Sequence, residues 1–316
     1  LSFKPDIVVK PSTAEQISEI MKLANETCYP VVVRGGGTGL SGGALAVKGG
    51  IIISMEKFNR ILEIDAENFQ ATVEPGVITE VFQNECIKYG MHYPPDPASK
   101  GSCTLGGNLA ECSGGPRAVK YGVTKDYVLG VECITPTGEI INTGAKVLKN
   151  VTGYNLTQLI IGSEGTLGII TKIYFRLIPY FKHRKVLLAA FNSIETALGV
   201  VSKIFHSGVT PSAIEFMEKS AILAAEKQLG KVFPNNFADA QLLIEVDGNN
   251  ETMIDEELEL IAEVLESNGV IEIIVAEDEN KMNELWALRR CLGEAVKSIS
   301  AYKEEDTVVP RAKMPE

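Results

Sequence analysis

The sequence predicts an α+β protein in two parts, 1–180 and 181–316, and three observations carry that reading. Glycines crowd at 35–43, 101–115 and 162–168 and thin out beyond residue 180. Past that point, apolar runs of strand length alternate with long amphipathic stretches. Between the two regimes an apolar strand over 169–178 enters the basic turn Pro179-Tyr180-Phe181-Lys182-His183-Arg184-Lys185, where the domain boundary is expected.

The first part reads as short elements. Ser12 caps a helix over 13–25, with Glu15 in its first turn and Ile17, Ile20, Met21 and Leu23 as its apolar face. Strands follow at 31–33, 51–53 and 71–73, the last closed by Pro75-Gly76. Val77, Val81, Phe82, Cys86 and Ile87 give 77–90 a helical spacing, and strands at 140–141 and 168–177 complete a sheet-rich domain. The second part alternates regularly: strand 186–191, a Ser193-capped helix through 205, strand 213–216, helix 220–229, strand 240–246, helix 251–267, strand 271–275 and helix 280–299. That rhythm predicts a ferredoxin-like sheet with helices on one face, incomplete at its C-terminus.

Composition excludes several classes. At 45% hydrophobic and 22% charged, the 316 residues are neither disordered nor fibrous. A net charge of −11 argues against binding nucleic acid through its phosphates. There is no apolar run of membrane-spanning length, and LSFKPDIVVKPS lacks the basic and apolar regions of a signal peptide, so a cytoplasmic protein is expected. The start without Met and the abrupt end lead us to expect truncation. The six cysteines are far apart and expected to be free buried thiols, binding neither cluster nor metal. His92, His183 and His206 form no H-x-x-H pair and are expected in loops or on the surface.

Strand 31–33 runs into Arg34-Gly35-Gly36-Gly37-Thr38-Gly39-Leu40-Ser41-Gly42, which contains a formal G-x-G-x-x-G, with Glu56 about 20 residues on. The dinucleotide fold is nonetheless excluded. Only the eight residues 43–50 precede the next strand, whereas a crossover helix needs about ten or more. No Gly-Lys-Ser/Thr follows, so a Walker A loop is excluded as well. What remains is a plain glycine-rich turn or a cradle of N–H groups for a pyrophosphate. Two further polar glycine segments, 94–122 and 162–171, favour the cradle. Three such segments, each leading from or into a strand, suit one long ligand lying across a domain.

Here a resemblance enters. The segments 34–43, Glu74-Pro75-Gly76-Val77, 94–97, 104–115, 147–156 (VLKNVTGYNL), 162–171 and Leu285-Trp286-Ala287-Leu288-Arg289 keep their order over nearly the whole chain. They resemble the flavoproteins of the vanillyl-alcohol-oxidase (PCMH) type. Within that superfamily they are similar to the branch of glycolate oxidase large subunits, D-lactate dehydrogenases and D-2-hydroxyglutarate dehydrogenases. The resemblance implies a two-part FAD-binding domain followed by an α+β ferredoxin-like cap. It implies that Arg34, Gly35, Gly36, Gly37, Thr38, Gly39, Leu40 and Ser41 hold the FAD pyrophosphate. Gly76, Pro95, Asp96, Ser99, Thr104, Gly106, Gly107, Asn108, Ser113, Gly114, Tyr121 and Gly122 would complete the site, together with Glu164, Gly168, Ile169 and Ile170. Covalent members carry a histidine where this sequence has Thr38, so non-covalent FAD is expected; a cysteine linkage is the alternative.

On the helix over 280–299, Leu285, Leu288, Leu292, Ala295, Val296 and Ile299 share one stripe at about 100° per residue. Arg289 falls at its edge and Arg290 points away. An arginine on a buried face needs an anion, which is either an internal carboxylate or that of a substrate. The resemblance implies the second, because the arginine after Trp-Ala-Leu binds the carboxylate of a 2-hydroxy acid. Where the hydroxyglutarate branch has a lysine before its strand ending in proline, this chain has Glu304, with Lys303 one step off. A monocarboxylate such as lactate or glycolate fits better. The family's metal-binding histidine pair and Glu-His base are not in the sequence, so no catalytic base and no metal ligand is assigned, and a divalent metal would come only with a further C-terminal segment. The implied activity is an FAD-dependent D-2-hydroxyacid dehydrogenase passing electrons to an electron-transfer flavoprotein, an iron–sulfur subunit or a quinone. An O₂-using oxidase and a non-catalytic flavin-carrying electron-transfer subunit are the alternatives.

Overall fold

The structure, a computed structural model, describes residues 2–299 and 305–316. Lys303 and Glu304, weighed above as a second anchor, lie outside the described residues. Contacts divide the chain into two units: Leu1–Gly115 with Gly122–Tyr180, and Pro116–Tyr121 with Phe181–Glu316. No described helix is long and apolar enough to cross a membrane.

In the first unit, β1 (Ile7–Val9), β2 (Val31–Arg34) and β3 (Ile51–Ser54) form a parallel sheet with β3 in the middle. The crossover α1 (Ala14–Thr27) is capped by Thr13, whose hydroxyl accepts from the Gln16 N–H. Ser12 serves differently from expectation: it precedes the cap and donates its N–H to Gln16 Oε1 at 2.8 Å. The buried face of α1 runs through Ile17 and Ala24, while Leu23 is exposed because it lies between the stripe positions 17, 20, 21 and 24. Residues 35–50, which join β2 to β3, contain no helix, as their length requires.

A second, antiparallel sheet has the order β4 (Ile61–Asp65), β5 (Gln70–Val73), β9 (Ile169–Arg176), β7 (Val128–Ile134), β8 (Ile140–Gly144). Against it pack α2 (Thr79–Lys88) and the aromatic group Phe82, Tyr93 and Phe175, with ring centroids 4.7–5.3 Å apart. The short β6 (Met91–His92) pairs with β10 (Ile178–Pro179), and this buries His92 against the loop or surface expectation. α3 (Leu105–Glu111) and α5 (Leu156–Ile160) complete the unit, and α4 (Ala118–Tyr121) belongs to the second.

The second unit is an antiparallel sheet of β11 (His183–Phe191), β12 (Ala213–Glu218), β13 (Ala240–Gly248) and β14 (Val270–Val275), in the order β12-β13-β11-β14. With α6 (Ile194–His206) and α8 (Glu251–Glu266) as crossovers this is the ferredoxin-like ladder, and α7 (Lys219–Leu229) is inserted between β12 and β13. Ser193 caps α6 as expected, its hydroxyl accepting from the Thr196 N–H at 3.1 Å. The expectation of helices on one face is corrected. Leu187, Ala189 and Phe191 meet α6 and α8, while Val186 and Leu188 meet α7 and α9 (Glu279–Lys297) on the opposite face. Both faces of the central strands are covered, so β11 carries the continuous apolar run 186–191, while β13 buries Gln241, Glu245 and Asp247 among its apolar residues.

Candidate functional site

The glycine loop after β2 and the start of α3 pack against each other with almost no room. A Cβ on Gly35 would collide with Thr104 Oγ1, and one on Gly36 would stand 2.5 Å from the Ser102 carbonyl. Gly37 has φ +69°, and a Cβ there would meet the Arg34 guanidinium at 3.0 Å, so only glycine follows this path without strain. Thr38 is half-buried and Leu40 exposed. At the loop's far end, Gly39 stands close to Glu111, and Ser41 Oγ lies 3.0 Å from Glu111 Oε1 and 3.3 Å from Glu164 Oε2.

The segment expected to be a loop at 104–108 is instead the first turn of α3. Of the two glycines inside it, Gly106 is required because a Cβ there would be 2.5 Å from Pro75 Cβ. Close approach here outweighs a helix-propensity cost of about 1 kcal/mol per glycine. Asn108 is buried and donates to Thr79 Oγ1 at 2.6 Å, which anchors α3 to the start of α2. Thr104 Oγ1 is also buried, caps nothing, and has no hydrogen-bond partner. A buried hydroxyl without a partner costs on the order of 1–3 kcal/mol, and this one faces the glycine loop. The close packing at Gly35 and Gly36 keeps this stretch of loop backbone free of side chains, which is what a cradle of N–H groups for a pyrophosphate requires.

The remaining expected residues fall in two groups. Pro95 is buried, and its carbonyl accepts from Gln83 Nε2 at 2.9 Å. Asp96 pairs with Lys100 at 2.9 Å, and the Ser99 carbonyl accepts from the N–H groups of Ser102 and Cys103 at 2.8 Å. The Ser113 carbonyl accepts from Thr124 Oγ1 at 2.7 Å, and Gly114 beside it is half-buried. Gly107 neighbours Thr104 Oγ1, and Glu164 is left-handed at φ +52° with its N–H on the Ala110 carbonyl at 2.9 Å. These residues gather around α3. Others have close neighbours that leave no space for a Cβ: Gly76 lies against the Met55 and Phe58 carbonyls, Gly168 against that of Ile134, and Gly122 against Asp126. Ile169 and Ile170 are buried on β9. Tyr121 belongs to the second unit, its hydroxyl donating to Asp247 at 2.7 Å.

In that second unit, α9 lays Leu285, Trp286, Leu288, Leu292 and Ala295 on the sheet. Ile299, expected in the stripe, lies past the helix end and is exposed. Arg290 is exposed over the Trp286 ring, as its angle predicts. Arg289 does have an internal anion: its Nη2 is 2.6 Å from Glu215 Oε2 on β12. Burial raises the Glu215 carboxyl above the ordinary carboxylate range, although Arg289 beside it acts in the opposite direction. Arg289 Nε is buried with no partner. Glu215 escaped the sequence reading, yet a signal existed. Ala213, Glu215 and Met217 share one face of a strand, and the outer two are core. The six cysteines are free as expected, but only Cys86, Cys103 and Cys133 are buried; Cys112 and Cys291 are half-buried and Cys28 is exposed. Among the described residues no His/Cys/Asp/Glu cluster could hold a metal.

Comparison with known proteins decides the family. The FAD-binding-domain model matches residues 5–144, and the model of the FAD-linked oxidase C-terminal domain matches 181–316. The chain is 40% identical, over 99% of its length and 67% of the relative's, to a D-lactate dehydrogenase of Anaerostipes hadrus. The chain belongs to the FAD-linked oxidoreductases. Another relative of this FAD-linked oxidoreductase is the glycolate oxidase subunit GlcD of Bacillus subtilis (strain 168), 40% identical over 98% of the chain and 66% of the relative. The chain thus spans about two thirds of the length of these relatives. Its fold is shared with alkyldihydroxyacetonephosphate synthase (TM-score 0.74, 24% identity, 92% of this chain and 58% of that one). It is shared too with p-cresol methylhydroxylase (TM-score 0.69, 20% identity, 90% and 60%). This is the vanillyl-alcohol-oxidase type architecture that the sequence implies.

Proposed function

We propose that this FAD-linked oxidoreductase oxidises a D-2-hydroxy monocarboxylic acid of the lactate or glycolate class. One observation carries the reading: Arg289 presents a buried Nε with no acceptor at the edge of an otherwise apolar helix face. A substrate carboxylate supplies that acceptor through one charge-assisted hydrogen bond, while the rest of the guanidinium stays fixed on Glu215. The names of the relatives above support the same substrate class. Bound FAD supplies a hydride acceptor, at N5, for the hydrogen on substrate C2. The chain's own part is to hold and orient. Thr104 and the loop 34–41 receive the pyrophosphate and ribityl, Thr38 stands where a covalent link would need histidine, and Arg289 fixes the carboxylate beside C2.

The proton of the substrate hydroxyl needs a base, and the Glu-His expected from the resemblance is not among these 316 residues. Electrons then leave to a protein or quinone acceptor. The test is anaerobic mixing of the intact, FAD-loaded gene product with D-lactate, glycolate and L-lactate. Bleaching of the flavin by D-lactate or glycolate, with L-lactate inert, is expected. A flavin left oxidised by every 2-hydroxy acid refutes the proposal and leaves the electron-transfer role.

A further inference from the structure

The chain leaves the first unit at Gly115, spends the six residues Pro116–Tyr121 in the second, and re-enters the first at Gly122. Apolar burial does not hold this excursion, because α4 within it has no buried residue. Charge does. Arg117 reaches Glu245 Oε1 with Nη2 at 2.7 Å and Asp247 Oδ2 with Nη1 at 3.2 Å. Lys120 Nζ donates to Asp247 Oδ1 at 2.7 Å and to the Asp247 carbonyl at 2.9 Å, and the Tyr121 hydroxyl donates to Oδ1 at 2.7 Å.

The two carboxylates are alternate residues of β13, on the same face as Leu243, and both side chains are fully enclosed. Two enclosed charges this close are strongly destabilising unless each is paired and hydrogen-bonded. Glu245 has local donors as well, Trp286 Nε1 at 2.8 Å and Ser212 Oγ at 3.2 Å. Asp247 has none. Among the described residues, every donor to its side chain comes from the excursion. A carboxylate enclosed in the second unit is therefore balanced only by six residues whose flanks both belong to the first. Those flanks are stiff. Gly115 has no space for a Cβ against the Asp96 carbonyl, and Gly122 is held at φ +78° against Asp126.

We propose that Asp247, with Glu245, is a positioning residue for the flavin. By anchoring Arg117, Lys120 and Tyr121 it sets the backbone of Ser113, Gly114 and Gly122. The inference rests on the reading that these three residues line the FAD, and its action runs along the chain itself.

The experiment uses the intact protein. Asp247→Asn removes the charge with little change in shape, and is expected to weaken FAD binding by about 10-fold or more, a coupling of roughly 1.4 kcal/mol, and to alter the visible band of the bound flavin. Lys120→Met should act in the same direction, and the double variant should be no worse than the worse single one. Should Asp247→Asn not fold, Lys120→Met alone carries the test. Ile261→Ala, a core truncation on the opposite face of the sheet, controls for plain loss of stability. It should lower Tm while leaving FAD affinity and spectrum unchanged well below the transition. If Asp247→Asn or Lys120→Met behaves like Ile261→Ala, the anchoring role is overturned. Gly114→Val separates the two levels. If it weakens FAD and the anchor variants do not, only the anchor fails; if it too leaves FAD unaffected, the reading of 113–122 as flavin-lining fails with it.

Discussion

Replacing Arg289 by lysine isolates what a guanidinium does at this position. In the structure Nη2 is committed to Glu215 at 2.6 Å, and Nε is the buried donor without a partner. A lysine keeps one positive charge for Glu215 but has no second, fixed donor to give a substrate. The loss is one charge-assisted hydrogen bond, about 1.5–3 kcal/mol, or roughly 10- to 150-fold in kcat/KM. Because 34% of the Arg289 side chain remains exposed, solvent screening places the expectation at the lower end. The assay is steady-state turnover of D-lactate and glycolate by the intact protein with an artificial acceptor, with FAD content measured on the same samples. FAD content should not change, since the flavin loops belong to the other unit. Arg290→Lys is the internal control: exposed above Trp286, it should leave turnover essentially unchanged, because lysine keeps a cation over the ring. If Arg290→Lys is the damaging change, or if Arg289→Lys leaves turnover intact, then Arg289 is only the ion-pair partner of Glu215 and the substrate sits elsewhere.

Thr38 predicts that acid precipitation releases all yellow colour into the supernatant; colour staying with the pellet would mean a covalent flavin. Gly37→Val should abolish flavin retention, since φ +69° and the 3.0 Å approach to Arg34 leave a side chain no place, and unchanged flavin content would put the pyrophosphate elsewhere. Among the cysteines, exposed Cys28 should alkylate in the native protein at mild alkaline pH. Cys86 and Cys133, pushed by burial to about 12 and about 11, should not; peptide mapping after labelling reads this directly. The raised Glu215 carboxyl has a signed consequence. Between its ordinary and its raised value the folded protein keeps a proton that the unfolded chain has lost, so this group's contribution to stability falls as pH rises through that window. Tm measured against pH should show that fall relative to Glu215→Gln, and parallel curves would contradict it.

Much of the fold was legible because its signals are local. Ser193 before an apolar periodic stretch, the run at β2 meeting glycines, and the eight residues too few for a helix before β3 each depend on neighbours in sequence. What escaped depends on distant partners. α3 was hidden by Gly106 and Gly107, which read as loop until Pro75 is seen to occupy the space of a side chain at Gly106. β7, VLGVECI, carries a glycine at 130 that weakens its strand pattern; a Cβ there would collide with the Thr143 carbonyl on β8. The strands of the second unit were assigned one covered face, but the unbroken apolar run 186–191 of β11 already indicated two.

The acidic residues make the same point more sharply. Glu215, Glu245 and Asp247 all occupy core-facing positions of their strands, where an unpaired charge would be prohibitive. Each therefore announces a cation in the folded protein, and that much is written in the strand alternation alone. Which cation is not, because Arg117 is 130 residues from Asp247 along the chain. The positions where local rules are broken are also those that hold the cations of the proposals above: Glu215 pairs with Arg289, and the β13 pair holds Arg117 and Lys120. A sheet that needed only stability would have apolar residues at these places. It carries three charges there, each met by arginine or lysine, and the cost of leaving any of them unpaired fixes where Arg117, Lys120 and Arg289 are held.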